Sequence, residues 1–327
     1  MPRSYVLVFS HRCGFEVDPV LDVLHERGVG VVRFNSDLDV GGSLLTLELH
    51  FGPPGVRLEC DGRSIAREDV AVAWFQQPPP HTYSLPAPDQ FLRQRSFDAA
   101  MAGVHAALRC PWVNAPDAAM RAANKPTQLL AAVELGISIP HTVVTNSRAE
   151  CEHLVRAHAT VAKNIDTPWF SDVGDEKAAV TTRMDPSWIS DEAVGFAPLI
   201  YQAFHRRRAD LRAVVVGSRL FCARTDEYLP SQATDVRAVN PAQAKYRMVE
   251  APDAVAASTS LLAAYFGLDY FAADFMEIED GSIFFLELNV CGSWWWIDRL
   301  CGGDRPIAVA LADLLMEKGN LERASVA

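Results

Sequence analysis

Short apolar runs separated by turn residues dominate the first third of the chain. Tyr5–Phe9 is continuous enough for a strand buried on both faces, and Val17–Arg27 follows with Val20, Leu21 and Leu24 on one helical stripe. Gly28 closes that helix and Val29–Phe34 reads as a second strand. A βαβ start of this kind favours a parallel sheet. Ser43–Phe51 and Val56–Cys60 form a hairpin pattern across Gly52-Pro53-Pro54-Gly55. Val70–Phe75 is a further buried strand, stopped at Gln76-Gln77-Pro78-Pro79-Pro80 because proline removes ladder donors. A long helix from Asp89 to Leu108 closes a first lobe, expected to span residues 1–115.

The pattern then changes to shorter, more mixed elements. Ala118–Gly136 is helical, Thr142–Thr145 a strand, and Ser147 with Glu150 three residues on fits a capping box for a helix to His158. Thr160–Lys163 is a strand, Asp166–Lys177 a loop with Gly, Asp and Ser, and Ala178–Arg183 another strand, which makes residues 116–185 a small α+β lobe. The third lobe, 186–327, carries strands at Pro198–Phe204, Leu211–Gly217 and Arg219–Thr225, a polar stretch to Lys245, and a helix from Pro252 to Phe266. Two apolar runs and an amphipathic helix, Ile307–Met316, follow. The fold class is α/β with α+β lobes.

Composition narrows the function classes. A net charge of −11 argues against a generic binder of nucleic acid or anionic membranes, since both require a positive field. Seven scattered cysteines without a CxxC pair are the pattern of reduced thiols in a cytoplasmic protein. No apolar run approaches the length of a membrane span, and the N-terminal run is too short for a signal-peptide core.

The chemistry concentrates in DYFAADFMEIEDGSIFFLELN, residues 269–289. Asp280-Gly281 between two strand-like runs signals a tight hairpin. A two-residue loop there sets Glu279 opposite Ser282 and, further out, Asp274 directly opposite Glu287, with Asn289 on the face of Glu287. Like charges opposed across a ladder repel. A divalent cation held by both carboxylates and the Asn289 amide oxygen removes the conflict, and oxygen-only ligands suit Mg²⁺ completed by nucleotide phosphates. In the alternative, another register turns one acid to solvent.

Three cations and one aromatic run complete the candidates. Lys125 opens a helix and Lys163 ends a strand, places from which an ammonium can hold phosphate or simply be solvated. The Asp166–Lys177 loop carries Gly174 and offers backbone N–H groups to phosphate, without a Walker pattern. Arg212 shares a strand face with Asp210, as either a fork for a carboxylate or acyl phosphate or one half of a structural ion pair. Arg206-Arg207-Arg208 reads as an exposed turn, and Trp294-Trp295-Trp296 as core or a substrate platform. His11, His81, His105, His141 and His205 show no ligand spacing and no nucleophile partner, and GxSxG, HExxH and GxGxxG are absent.

Four blocks together, VAVAWFQQP (70–78), WVNAPDAAMRAANKPTQLLAAVELGISIP (112–140), 198–224, and 267–315 with LELNVCGSWWWIDRLCGG and a closing AVALADLL helix, resemble the ATP-grasp superfamily, in particular the graspetide (microviridin-type) peptide maturases. The resemblance implies three lobes with ATP clasped between the second and third. It implies Lys125 and Lys163 at the phosphates and adenine side, an adenine hinge at Gln202 and Phe204, Arg212 at the transferred phosphoryl or acyl phosphate, and Asp274, Glu287 and Asn289 on Mg²⁺. The implied partners are ATP and a precursor peptide with leader and core, with a homodimer left open. The implied reaction makes an acyl phosphate of a peptide carboxylate, which a hydroxyl or amine of the same peptide attacks to give an ester or amide cross-link. The alternative within the fold joins a free amino acid or amine to a carboxylate. Three positions depart from the family pattern: WFQQP lacks an arginine-rich ending, Asn164 stands where proline is usual, and the hinge lacks an acidic residue.

Overall fold

The computed structural model describes residues 4–11, 14–35, 42–76, 87–166, 169–172, 175–178, 181–225 and 245–322. Cys13, Gln77–Pro80, His81, Gly174 and nearly all of the polar 226–245 stretch lie outside them.

The βαβ start is realised. Strands β1 (Tyr5–Ser10) and β2 (Gly30–Asn35) flank helix α1 (Val17–Glu26) and pair in parallel. Strands β3 (Ser43–Glu48), β4 (Gly55–Cys60) and β5 (Arg63–Ala66) form a separate antiparallel sheet, one strand longer than the hairpin expected. Strand β6 (Val70–Phe75) returns beside β1, helix α2 covers Ala87–Ala107, and β7 (Trp112–Val113) completes a parallel sheet ordered β2-β1-β6-β7. Every residue of β6 is buried, as a central strand covered on both faces requires.

The predicted single helix over 118–136 is two helices, α3 (Pro116–Ala123) and α4 (Lys125–Glu134). Asn124 between them is extended and caps α4, its side chain accepting from Thr127 N at 3.0 Å, and Pro126 lies in the first turn. The cap-and-proline signal in Asn124-Lys125-Pro126-Thr127 overrides the apolar period. Strand β8 (Thr142–Thr145), helix α5 (Arg148–Ala157) and strand β9 (Thr160–Lys163) follow as expected. Ser147 stands at the N-cap of α5, but its side chain makes no capping bond, so the capping box is not formed. The expected 166–177 loop holds a two-stranded hairpin, β10 (Trp169–Asp172) and β11 (Asp175–Ala178), and β12 is only Thr182–Arg183. A short helix α6 (Asp191–Gly195) leads to β13 (Leu199–Ala203), giving an antiparallel sheet ordered β12-β9-β13-β8.

The last sheet is antiparallel and ordered β16-β15-β14-β17-β18. Its strands are β14 (Arg207–Val216), β15 (Arg219–Thr225), β16 (Tyr246–Val249), β17 (Tyr270–Ile278) and β18 (Ile283–Asn289), with helix α7 (Asp253–Phe266) before β17. Arg207 and Arg208 are not in a turn. They begin β14, and Arg207 is paired with Asp210 at 3.0 Å. One face of this sheet packs Leu211, Ala213, Phe271, Phe275, Phe285 and Leu288 in the core that includes Val255 and Leu262 of α7.

Helix α8 (Trp295–Leu300) and helix α9 (Pro306–Gly319) close the chain, with α9 packed against α1, β6 and β14. Buried Asp298 accepts from Ile307 N and Ala308 N at 2.9 and 3.0 Å, placing an acceptor on the orphan donors that begin α9. Trp294 is fully buried and donates to the Tyr270 hydroxyl at 2.6 Å, so this member of the tryptophan run is core.

His105 packs among Phe9, Phe75 and Trp112, and its buried Nε2 has no partner among the described residues. Burial lowers its pKa from 6.5 to about 4. The folded state therefore holds this imidazole neutral, and the stability it contributes at pH 7 is lost as pH falls from about 6.5 towards 4, because the unfolded chain binds the proton first. The expected loss is about 2 kcal/mol between pH 7 and pH 5. Urea unfolding at the two pH values should show it in the wild type and show markedly less in His105→Phe. An equal loss in both would contradict this assignment.

Candidate functional site

The hairpin β17–β18 places Asp274 directly opposite Glu287, as the spacing predicts, but by another route. The loop is not two residues. Ile278 N bonds Ser282 O at 2.9 Å, leaving Glu279, Asp280 and Gly281 in the turn, with Gly281 at φ +88° as this three-residue form requires. That shifts the register by one, and a bulge at Leu286 shifts it back before Glu287. The bulge also resolves a conflict in IFFLELN. Strict alternation would put Phe285 on the face of Glu287, whereas the extra residue sends Phe285 and Leu288 to the core and leaves Glu287 and Asn289 on the polar face.

Arg212 does not pair with Asp210, which is held by Arg207. On β14, Arg212 stands directly opposite Asp274, and its Nη1 meets both carboxylate oxygens at 2.7 and 2.8 Å. Asp210 and Arg212 share a face because strand side chains alternate, but the ladder partner across the sheet lies closer. Asn289 donates to Asp274 Oδ2 at 3.3 Å. Arg212, Asp274 and Glu287 thus form one row across three adjacent strands. Burial raises the pKa of Asp274, Arg212 opposes that, and the charge of Glu287 adds to it. Burial works against the Arg212 charge, but Asp274 and Glu287 outweigh it and raise its pKa. The Arg212 Nε is buried without a partner among the described residues, so the guanidinium is not saturated by the carboxylate it faces.

Lys125 joins this row from α4, with Nζ 3.5 Å from Glu287 Oε2 and 3.5 Å from Asn164 O. Its position is fixed by Gln128, one turn along the helix. That buried amide donates to Leu288 O at 2.7 Å and accepts from Leu288 N at 2.9 Å, so α4 is bolted to the outer edge of β18 beside Glu287. Gln128 carries no local sequence signal for this role, which depends on a contact 160 residues away.

Lys163, Gln202 and Phe204 form a second group. They line a crevice with Val161 from one side and Met276 and Leu286 from the other. Gln202 is buried, donating to Thr142 Oγ1 at 2.9 Å and accepting from Lys163 Nζ at 2.8 Å, so its side chain orients the lysine. Met276 shares the face of Asp274, and Leu286 is the bulge residue. Both were missed in the sequence because a bulge has no composition signature in an apolar run. The predicted site residues therefore gather at two neighbouring places, a charged row and an apolar crevice, linked where Lys125 meets Asn164 next to Lys163.

Two carboxylates and an amide supply only oxygen donors for a cation, the set that hard divalent ions take. Among the described residues no group of three His, Cys, Asp or Glu has metal-binding geometry. No described helix is long and apolar enough to cross a membrane.

No protein-family model and no curated protein sequence matches the chain. Solved structures do match it along its length. The RiPP-associated ATP-grasp ligase of Chryseobacterium gregarium, solved with ADP and a leader and core peptide, superposes with a TM-score of 0.84 at 23% identity, covering 99% of this chain and 100% of its own. The macrocyclase MdnC of Microcystis aeruginosa, bound with precursor peptide MdnA, gives 0.82 at 20% identity over 96% of this chain and 99% of its own. Macrocyclase MdnB of the same organism gives 0.79 at 24%, over 95% and 99%. The chain has the ATP-grasp fold.

Proposed function

We propose that this ATP-grasp chain is an ADP-forming ligase that activates a carboxylate side chain of a ribosomally made precursor peptide and joins it to a hydroxyl or amine of the same peptide. The observation that carries the reading is the row Arg212–Asp274–Glu287, with Asn289 and Lys125 beside it, next to the Met276/Leu286 crevice. A phosphoryl donor needs both parts, an apolar slot for a base and a charged row for phosphates. The full-length likeness to ligases solved with ADP and precursor peptides supports the choice of reaction and substrate class.

In this reading the lobes are residues 1–115, 116–185 and 186–327, and adenine lies in the crevice against Phe204, Met276 and Leu286. Lys163, steered by Gln202, and Lys125 neutralise phosphate oxygens. Asp274, Glu287 and the Asn289 amide oxygen hold Mg²⁺, which supplies charge neutralisation at the transferred phosphoryl group. The Arg212 guanidinium, held in the row by Asp274, stabilises the charge that builds on the acyl phosphate. Without activation a carboxylate is a poor acyl donor, because its leaving group is oxide. Among the candidates no Ser–His or Cys–His pair is available for an enzyme-bound acyl group, so the acyl group stays on the peptide. A tethered nucleophile then has a large effective concentration.

The reading predicts that ADP forms only when Mg²⁺, ATP and the cognate peptide are all present. The peptide to test is the product of a neighbouring short reading frame rich in Thr/Ser and Asp/Glu. AMP and pyrophosphate in place of ADP would mean an acyl adenylate and would overturn the acyl-phosphate mechanism.

A further inference from the structure

We propose that Gln128 is a positioning residue for the metal, holding Glu287 and Asn289 on the face of Asp274 through the backbone of the residue between them. This rests on the ligase reading above, with Mg²⁺ in the row, and names what keeps the two β18 ligands aimed at it.

Among the described residues β18 is the outermost strand of its sheet, so one edge of its backbone has no strand beside it. The bulge at Leu286 adds a second weakness. Where a strand resumes its register after an extra residue decides which face every later side chain takes, and a slip of one residue exchanges the faces. Both proposed ligands lie downstream of the bulge. Strict alternation from Phe285 would turn Glu287 and Asn289 towards the apolar core and Leu288 towards the row.

The segment before and after α4 stands in for the missing neighbour. Upstream of the bulge, Phe285 N donates to Ser138 O at 2.9 Å. Downstream, Gln128 Nε2 donates to Leu288 O at 2.7 Å and Gln128 Oε1 accepts from Leu288 N at 2.9 Å. One side-chain amide thus takes both backbone groups of Leu288, as a residue on a paired strand would. The other Nε2 hydrogen goes to Ala122 O at 2.7 Å, in the last turn of α3. Both amide protons are therefore used, which sets the orientation of the amide. Gln128 is 1% exposed and Leu288 3%, so water does not replace these bonds when the amide is lost.

Leu288 separates Glu287 from Asn289, and any turn or slide of its peptide moves both ligands together. Lys125, on the same helix as Gln128, meets Glu287 at 3.5 Å. Helix α4 accordingly sets the backbone of the ligand pair and a charge beside it from one rigid element. Removing the hydrogen-bonded supports of metal ligands commonly costs tenfold to a hundredfold in metal affinity.

Mn²⁺ takes the same oxygen donors and gives an electron-spin signal while free, so it serves as the probe. Titrated into the full chain with saturating ADP, it should bind Gln128→Met with a dissociation constant raised by at least about tenfold over wild type. ADP binding without metal should stay within about threefold, because the crevice and the lysines are untouched. The Mg²⁺ concentration that half-saturates peptide-dependent ADP formation should rise in parallel. An unchanged Mn²⁺ constant in folded Gln128→Met, whatever its melting temperature, would make Gln128 merely structural and overturn the assignment. A second measurement needs no variant. In the metal-free wild type the Leu288 amide should exchange its hydrogen as slowly as the amides of β17. Exchange at the rate of an exposed edge would overturn the assignment even if Gln128→Met failed to fold. If wild type with ADP bound no Mn²⁺, the metal site of the ligase reading would fall, and this inference with it.

Discussion

Glu287→Gln is expected to abolish turnover, lowering peptide-dependent ADP formation by at least about a thousandfold, while the protein stays folded. The magnitude follows from the several kcal/mol that a correctly held cation supplies to phosphoryl transfer. Glutamine keeps the shape and one oxygen but removes the charge that, with Asp274, would draw Mg²⁺ to the row. Its effect on the free protein should be small and in the other direction. The substitution relieves the repulsion between acids opposed on β17 and β18, while it weakens the 3.5 Å contact with Lys125 and the attraction to Arg212. The melting temperature without nucleotide should hold or rise, and the rise that Mg²⁺ with ADP gives the wild type should be lost. Undiminished ADP formation would remove Glu287 from the metal site.

Arg212→Lys is expected to lower kcat by about a hundredfold to a thousandfold. Lysine keeps the charge facing Asp274 but loses the planar fork, and with it the Nε donor that has no partner among the described residues. Because the ion pair with Asp274 survives the change, the melting temperature should move by only a few degrees. A large drop in stability with near-normal kcat per folded molecule would instead make Arg212 a structural partner of Asp274.

How far the sequence carried depends on the range of each interaction. Asp274 opposite Glu287 was legible because a hairpin is local and Gly281 marks its turn, although the actual three-residue loop is corrected by the bulge at Leu286. The partner of Arg212 was not legible, since Asp210 is two residues away and Asp274 is sixty-two; only the β14–β17 pairing decides between them. The helix break at Asn124 was readable as a cap followed by proline and was masked by a continuous apolar period. The β10–β11 hairpin arises from WFSD and DEKA, in which no alternating apolar pattern announces a strand. Lys125, Lys163 and Gln202 were placed correctly on their elements. Their meeting, through Gln128 on β18 and Gln202 on Lys163, is tertiary.

The mass of the peptide after reaction tests the central claim most directly. Incubated with this protein, ATP and Mg²⁺, the cognate Thr/Ser- and Asp/Glu-rich peptide is expected to become lighter by one water per cross-link, with one ADP formed for each. A peptide heavier by an added amino acid or amine, or one of unchanged mass while ADP accumulates, would contradict intramolecular cross-linking.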